Sequence, residues 1–457
     1  CSEMPAMEAP RGNKLTVSPT LSGWVFVEMS YCEAIRQHTR VSGVFSVVTV
    51  GQDAATLSDL RLKKERFMPT SEQRIIRRIS ELVAADSVSS PDPSWDSSNR
   101  KVIHHLTDYA KRDGWAVELQ ELGSDVNAKA NLIATLGDCG ETADQPRGLV
   151  LSGHTDTVPF DAGGWDSDPL ILDERDGRLY GLGSADMKGF FAVALEAAAA
   201  FDPKEFKSPL YLLATADEES TMRGARSLTK DYLPKARAAI VGEPTGLRPM
   251  RMHKGIMMQG VTMRGRSGHS SDPDLGNNVI DALPTLLSVL SRYREELAQT
   301  FRCELMAVPT PTVNFGCVHG GDSPNRICGE LDFSFDVRML PGLEYQEVER
   351  ELNLRLMEIT AQHGIDIDMR RLVEPVPAFE QAVDSELVVA CEHVSGHQAD
   401  AVNFATEAPF LQSLGLETIV MGPGSIDVAH QPNEYMSLDQ IQPAVASLRE
   451  LIRRYCL

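Results

Sequence analysis

The chain has no excess of positive charge, no closely paired cysteines and no apolar run long enough to cross a bilayer, and each absence excludes a class of function. Against 44 Lys and Arg stand 65 Asp and Glu, a net charge of −21. The cations that would neutralise a nucleic acid backbone are missing, so no nucleic acid partner is expected. The same acidity favours solubility and the attraction of cationic small molecules. Eight cysteines (Cys1, Cys32, Cys139, Cys303, Cys317, Cys328, Cys391 and Cys456) are scattered with no CxxC, as in a chain kept reduced, and the expected location is the cytoplasm. The longest apolar stretches, near residues 41–50 and 189–201, fall short of the roughly 20 residues a membrane helix needs, so no membrane partner is expected either. There is no HExxH pair, G-x-S-x-G elbow, Walker A loop or strand-linked G-x-G-x-x-G. Single-zinc proteases of that type, serine hydrolases and nucleotide enzymes lose support accordingly. Residues 1–67 lack the basic start and cleavage site of a secretory signal and read as a poorly ordered extension, with Met68 as the natural beginning.

What is present is a globular composition, 42% hydrophobic and 24% charged over 457 residues, enough for more than one packed core. Apolar residues at helical spacing predict two helices between residues 71 and 112, separated by a Ser/Pro/Asp-rich loop at 87–98. Short apolar runs at 131–136, 148–153, 209–216, 238–242 and 417–421 read as buried strands. Helical patterns at 189–201 and 221–228 lie between several of them, the alternation of an α/β fold whose mixed sheet is covered by helices on both faces. Between about residues 254 and 372 the order becomes β-α-β-β-α-β, with helices at 277–299 and 344–362. That order predicts an inserted α+β, ferredoxin-like domain with two helices on one face of an antiparallel sheet. The expected organisation is an extension (1–67), a first part of the main domain (68–250), the inserted domain (251–374) and a second part of the main domain (375–457).

The inferred strands end in residues that can bind metal: His154, the pair Glu218-Glu219, Glu243 and, further beyond its strand, His430. In open α/β sheets ligands bind outside the carboxyl ends of strands, so residues distant in sequence can converge there. Asp186, in a glycine-punctuated turn before a helix, is a fifth candidate. Nitrogen and oxygen donors without a thiolate suit Zn²⁺ or a similar divalent ion. Dividing five ligands between two ions requires one shared carboxylate, and Asp186 is the short, loop-held choice. In His154-Thr155-Asp156 the i, i+2 spacing on an extended backbone lets the Asp156 carboxylate accept the second imidazole N–H and fix its tautomer. Of the Glu pair, Glu219 is assigned to metal and Glu218 to the proton-handling base. His269, in Arg-Ser-Gly-His-Ser-Ser-Asp-Pro, could stabilise an oxyanion in a second subunit's cleft if the inserted domains pair. Asn325 and Arg338 are candidates for binding a substrate carboxylate, a structural ion pair being the alternative for Arg338. Glu407 is the candidate reader of a substrate amine.

Five segments carry a resemblance: Ser152-Gly-His-Thr-Asp-Thr-Val-Pro-Phe160, Tyr180-Gly-Leu-Gly-Ser-Ala-Asp-Met-Lys-Gly-Phe-Phe191, Ala214-Thr-Ala-Asp-Glu-Glu219, Val241-Gly-Glu-Pro-Thr245 and Arg266-Ser-Gly-His-Ser-Ser-Asp-Pro273. Together they resemble the di-zinc aminoacylase and carboxypeptidase metallohydrolase family, over roughly residue 68 to the end. The resemblance implies two Zn²⁺ ions, with Co²⁺ able to substitute. It places His154 and Glu243 on one ion, Glu219 and His430 on the other and Asp186 between them, with Asp156 behind His154 and Glu218 as acid/base. It further implies a homodimer formed through the inserted domain, His269 acting across it, and a cis peptide at Asp186-Met187. The substrate class implied is a small N-acetylated amino acid. The segments His319–Ile327, Thr406–Phe410 and Met421–Pro432 favour hydrolysis of N2-acetyl-L-ornithine to L-ornithine and acetate, a step of arginine synthesis. The rivals are a related N-acyl amino acid deacylase, a succinyl-diaminopimelate desuccinylase, a dipeptidase, or a non-catalytic metal-binding homologue. Residues 1–67 have no counterpart in the family, and Ala405 stands where related deacetylases often carry cysteine.

Overall fold

The structure is a computed structural model and describes residues 69–123, 127–137 and 147–457. The expectations for the extension, for the apolar stretch at 41–50 and for Cys1, Cys32 and Cys139 lie outside these residues. The strands are β1 (Ala116–Leu122), β2 (Lys129–Leu136), β3 (Gly148–His154), β4 (Asp173–Arg175), β5 (Arg178–Tyr180), β6 (Leu210–Thr215), β7 (Ala236–Pro244) and β8 (Met250–His253). They continue as β9 (Gly255–Arg264), β10 (Thr312–Gly320), β11 (Glu330–Met339), β12 (Asp366–Arg371), β13 (Phe379–Glu380), β14 (Asp400–Val402), β15 (Glu417–Gly422) and β16 (Tyr435–Ser437). The helices are α1 (Ser71–Val83), α2 (Arg100–Arg112), α3 (Lys188–Ala198), α4 (Arg223–Arg226), α5 (Val279–Thr300), α6 (Tyr345–His363), α7 (Glu386–Ser395), α8 (Ala408–Ser413) and α9 (Leu438–Cys456).

A nine-stranded mixed sheet runs β1-β2-β6-β3-β7-β15-β8-β13, with β14 beside β8. Its centre, β6-β3-β7-β15, is parallel, and β3 and β6 are buried at every position, as two-sided burial requires of a continuous apolar run. Alternate residues serve opposite faces. Leu149, Leu151, Leu210, Leu212 and Ile240 pack with α1, α2, α3, α7 and α9, while Val150, Tyr211, Leu213, Ala239 and Val241 pack under α8 and its neighbouring loops. The predicted helix stripe Ile75, Ile79, Leu82, Val83 of α1 is buried, and Thr70 and Gln73 close a reciprocal cap at its start. Helix α3 lies so close to the sheet that a Cβ on Gly242 would meet the Phe190 ring at 2.3 Å.

A separate four-stranded antiparallel sheet, β10-β11-β9-β12, carries α5 and α6 on one face. Every second residue of β11, from Leu331 to Met339, points into that core. The chain enters along β8-β9 and returns beside it, where Ile256 bridges Val376.

Two readings are corrected. The helix expected at 221–228 shrinks to the single turn α4, because Met222 takes a left-handed φ of 53° and Gly224 is pressed against the Ala216 backbone. Strand β1, absent from the sequence reading, is mostly exposed and owes its definition to pairing with β2. Among the described residues Cys303, Cys317, Cys328 and Cys391 are free thiols, and no helix is long and apolar enough to cross a membrane.

Candidate functional site

Strands β6, β3 and β7 are parallel neighbours, so their carboxyl ends open on one edge. His154 is the last residue of β3, Glu243 the penultimate residue of β7, and Glu218 and Glu219 follow β6 in a turn. Asp186 ends the loop 181–186 before α3, at the Asp186-Met187 bond, which is cis as expected. His430 sits on the segment after β15 with a left-handed φ of 57°.

These residues meet. His154 Nε2 is 3.1 Å from Asp186 Oδ1 and 4.0 Å from Glu243 Oε2. His430 Nε2 is 2.9 Å from Glu219 Oε1 and 3.4 Å from Asp186 Oδ2. Asp186 therefore presents one oxygen to each imidazole. Donor atoms of His154, Asp186 and Glu219 all lie within 4.8 Å of one another.

Asp156 is placed differently from the reading above. Strand β3 ends at His154, and the imidazole Nδ1 donates to the Asp156 carbonyl at 2.9 Å and not to its carboxylate. The carboxylate stands 3.8 Å from Nδ1 and instead accepts the backbone N–H groups of Glu218 and Glu219 at 3.2 and 3.0 Å. Its observed work is to fix the turn bearing both glutamates. Sequence reasoning missed the support beneath that turn. Asp217, left-handed at φ 62°, is held by Ser89 Oγ at 2.9 Å and by buried Lys129, which also pairs with Asp96 at 2.6 Å. Glu434 was missed as well, since a lone glutamate carries no signal that it will cap a distant loop.

The electrostatics are those of acids crowded away from water. Burial, and then the charge of Asp186, raises Glu243 well above the usual carboxylate range. Burial, and then Glu243, does the same to Glu218. Burial opposes ionisation of Asp186, but hydrogen bonds with His154 and His430 outweigh it and hold its carboxyl low. Asp186 and then Glu219 push His430 up to about 10. Glu243 Oε1 is buried with no protein partner among the described residues. A buried acceptor oxygen amid carboxylates calls for a cation, so oxygen and nitrogen donors and an orphaned oxygen together fit divalent metal.

Glu407, just before α8, is 1% exposed. Its Oε2 meets Thr215 Oγ1 at 2.8 Å, Oε1 has no partner among the described residues, and burial pushes the carboxyl up to about 7. The remaining three candidates belong to the four-stranded layer. His269 Nδ1 lies 2.7 Å from Ser271 Oγ, and Asn325 beside it accepts the Ser270 N–H at 3.2 Å through its backbone carbonyl; both residues are on the surface. Arg338 on β11 makes the ion pair named as its alternative, to Asp336 at 3.0 Å. No hydrogen bond or ion pair joins these three to the carboxylate cluster among the described residues.

A doubly covered α/β sheet that gathers two imidazoles and a group of carboxylates at its strand ends, with room for a cation, defines a metal-dependent hydrolase. The chain belongs to peptidase family M20/M25/M40, whose model matches residues 150–454. It is 45% identical over 375 residues to an acetylornithine deacetylase of Vibrio atlanticus (strain LGP32), covering 82% of this chain and 97% of that protein. Among solved structures, a tripeptidase from Staphylococcus aureus subsp. aureus Mu50 shares the fold with a TM-score of 0.65 at 20% identity, over 84% of this chain and 98% of that one. The Bacillus subtilis YXEP protein, a dinuclear metal binding peptidase, does so with a TM-score of 0.58 at 14% identity, over 83% and 97%.

Proposed function

We propose that the chain hydrolyses N2-acetyl-L-ornithine to L-ornithine and acetate, a step of arginine biosynthesis, as a cytoplasmic homodimer. The identity to acetylornithine deacetylases over nearly their whole length supports the substrate. The observation that carries the chemistry is Asp186 standing between two imidazoles, one oxygen toward each.

His154 and Glu243 would hold one Zn²⁺ and Glu219 and His430 the other, sharing Asp186, with Co²⁺ as a substitute. When bound, such ions supply Lewis acidity, polarising an amide carbonyl and easing the deprotonation of water. Glu218 takes the proton of the attacking water as a C–O bond forms at the acetyl carbon. It returns that proton to nitrogen as the C–N bond breaks, so ornithine leaves as an amine, and the acid left behind gives up the second water proton to that amine and to solvent as acetate. A carboxyl raised by burial and by Glu243 is suited to keep the proton between these steps. Asp156 holds Glu218 in place through its two backbone hydrogen bonds. His269, reaching from the four-stranded layer of a second copy, donates to the carbonyl oxygen. Asn325 and Arg338 take the substrate carboxylate, and the unpartnered oxygen of Glu407 takes the side-chain ammonium.

The test strips the protein with chelator, reloads it with Zn²⁺ or Co²⁺, and compares N2-acetyl-L-ornithine, N-succinyl-diaminopimelate and a dipeptide. Metal-restored turnover with the first substrate preferred by kcat/KM is expected. Preference for either rival overturns the substrate, and full activity in metal-free protein overturns the mechanism.

A further inference from the structure

We infer that Glu434 is a positioning residue that sets Asp186 between the two imidazoles by clamping the Asp186 loop to the segment that carries His430. This rests on the reading of Asp186 as the ligand shared by two ions.

The loop 181–186 is buried throughout, so each of its N–H groups needs a protein acceptor. One residue supplies most of them. The Glu434 carbonyl accepts the Gly181 N–H at 3.0 Å. Its carboxylate accepts Gly183 N–H on Oε2 at 3.0 Å, and both Ala185 and Asp186 N–H on Oε1 at 2.9 Å. Glu434 is 2% exposed, so water does not compete for these donors. Loop geometry adds to the demand, because Gly183 turns with φ 77° and aims successive amides inward.

The clamp joins two distant stretches. Tyr435 pairs with Tyr180 where β16 lies against β5, and the contact continues from backbone to side chain at Glu434. Four positions earlier the same segment delivers His430, whose side chain is 51% exposed and whose Nε2 meets Glu219 and Asp186. A shift of the loop would therefore move Asp186 against both imidazoles at once.

A carboxylate is needed because it offers only acceptors. Glutamine in the same space presents an amide NH₂ to at least one of three N–H donors, leaving that donor unmatched in a buried place. Residues that orient metal ligands in this way change metal affinity about 10–100-fold when substituted.

The experiment titrates metal-free wild type, Glu434→Gln and Glu434→Asp with Co²⁺, reading binding by equilibrium dialysis and site geometry by visible absorption. Glu392→Gln is the control, since Glu392 also caps a backbone N–H, that of Ala399 at 2.8 Å. Circular dichroism and thermal unfolding of the metal-free proteins report folding. Expected for Glu434→Gln are a native fold, at least about tenfold weaker Co²⁺ binding and an altered visible spectrum. Once it is saturated with metal, kcat should fall about tenfold or more with KM little changed. The Glu392 control binds Co²⁺ as wild type does. A folded Glu434→Gln with wild-type affinity and spectrum overturns the inference, and so does a folded Glu434→Asp with both unchanged should the Gln variant not fold. Unfolding of both variants assigns Glu434 to general stability and overturns it too. Wild type that takes up no Co²⁺ removes the metal reading itself, a result distinct from a failure at Glu434.

Discussion

At the carboxyl ends of the nine-stranded sheet the candidate site residues pair with groups far away in the chain, whereas in the four-stranded layer His269 and Arg338 pair with near neighbours. His430 reaches Glu219 over 211 positions and Glu434 reaches Asp186 over 248. Arg338 pairs with Asp336, and His269 with Ser271, each two positions away. A buried charge without a partner costs several kcal/mol, so the long-range partners are fixed by folding. Exposed groups pay little for a weak local partner and can exchange it for a substrate or a second subunit. The proposed function accordingly gives the first group its work within the chain and the second a role in meeting substrate or a second copy.

The comparison breaks first at Glu218. Replacing it by Gln should lower kcat by about 10²–10⁴-fold while metal content, measured by elemental analysis, stays at the wild-type level. Parallel loss of metal would make Glu218 a ligand and not the base. Next comes the claim that the exposed region is completed by a second copy. Glu218→Gln and His269→Ala, each nearly inactive alone, should regain about a quarter of wild-type activity when unfolded and refolded as an equal mixture, because only the hybrid holds one intact site. No recovery in hybrids isolated by differential tagging places His269 in its own chain's site or outside catalysis.

A smaller effect is expected at Glu407, which is buried like the first region yet assigned to substrate like the second. Glu407→Gln should raise KM for N2-acetyl-L-ornithine about tenfold, with far less change for N-acetyl-L-norvaline, which lacks the amine. Equal losses on both would make Glu407 a support for Thr215. The smallest effect concerns the junction of the regions. His253 is fully buried, its ring tilted against that of Phe379, with Nδ1 donating to the Lys254 carbonyl and Nε2 accepting the Thr406 N–H, and burial lowers it to about 4. The unfolded chain binds this proton near pH 6.5 and the folded chain only near 4. Stability from neutral His253 is therefore full above 6.5 and is lost as pH falls toward 4. Between pH 7.5 and 5.5 the loss is about 1 kcal/mol. Denaturant unfolding of chelated protein should show it in wild type and not in His253→Gln.

Much of this was legible in the sequence because apolar runs and helical stripes are local signals. The parallel centre of the large sheet, the two helices before it and the β-α-β-β-α-β order all follow from them. Legibility failed where the outcome depended on a remote partner. Strand β1 has too little buried surface to announce itself without β2. The Asp156 carboxylate had a plausible neighbour two residues back, and went instead to two amides some sixty positions on. Asp217 gave no warning of a left-handed turn held by Lys129.

By itself the chain determined which runs of residues would leave water and which side chains could carry protons or hold cations, since both are properties of single residues and short spacings. Only the tertiary structure decided that β6, β3 and β7 lie side by side, that Asp186 faces both imidazoles, and that Glu434 holds its loop. Strand neighbours and buried hydrogen-bond partners are chosen by competition across the whole chain, where the cost of an unmatched group outweighs any local preference.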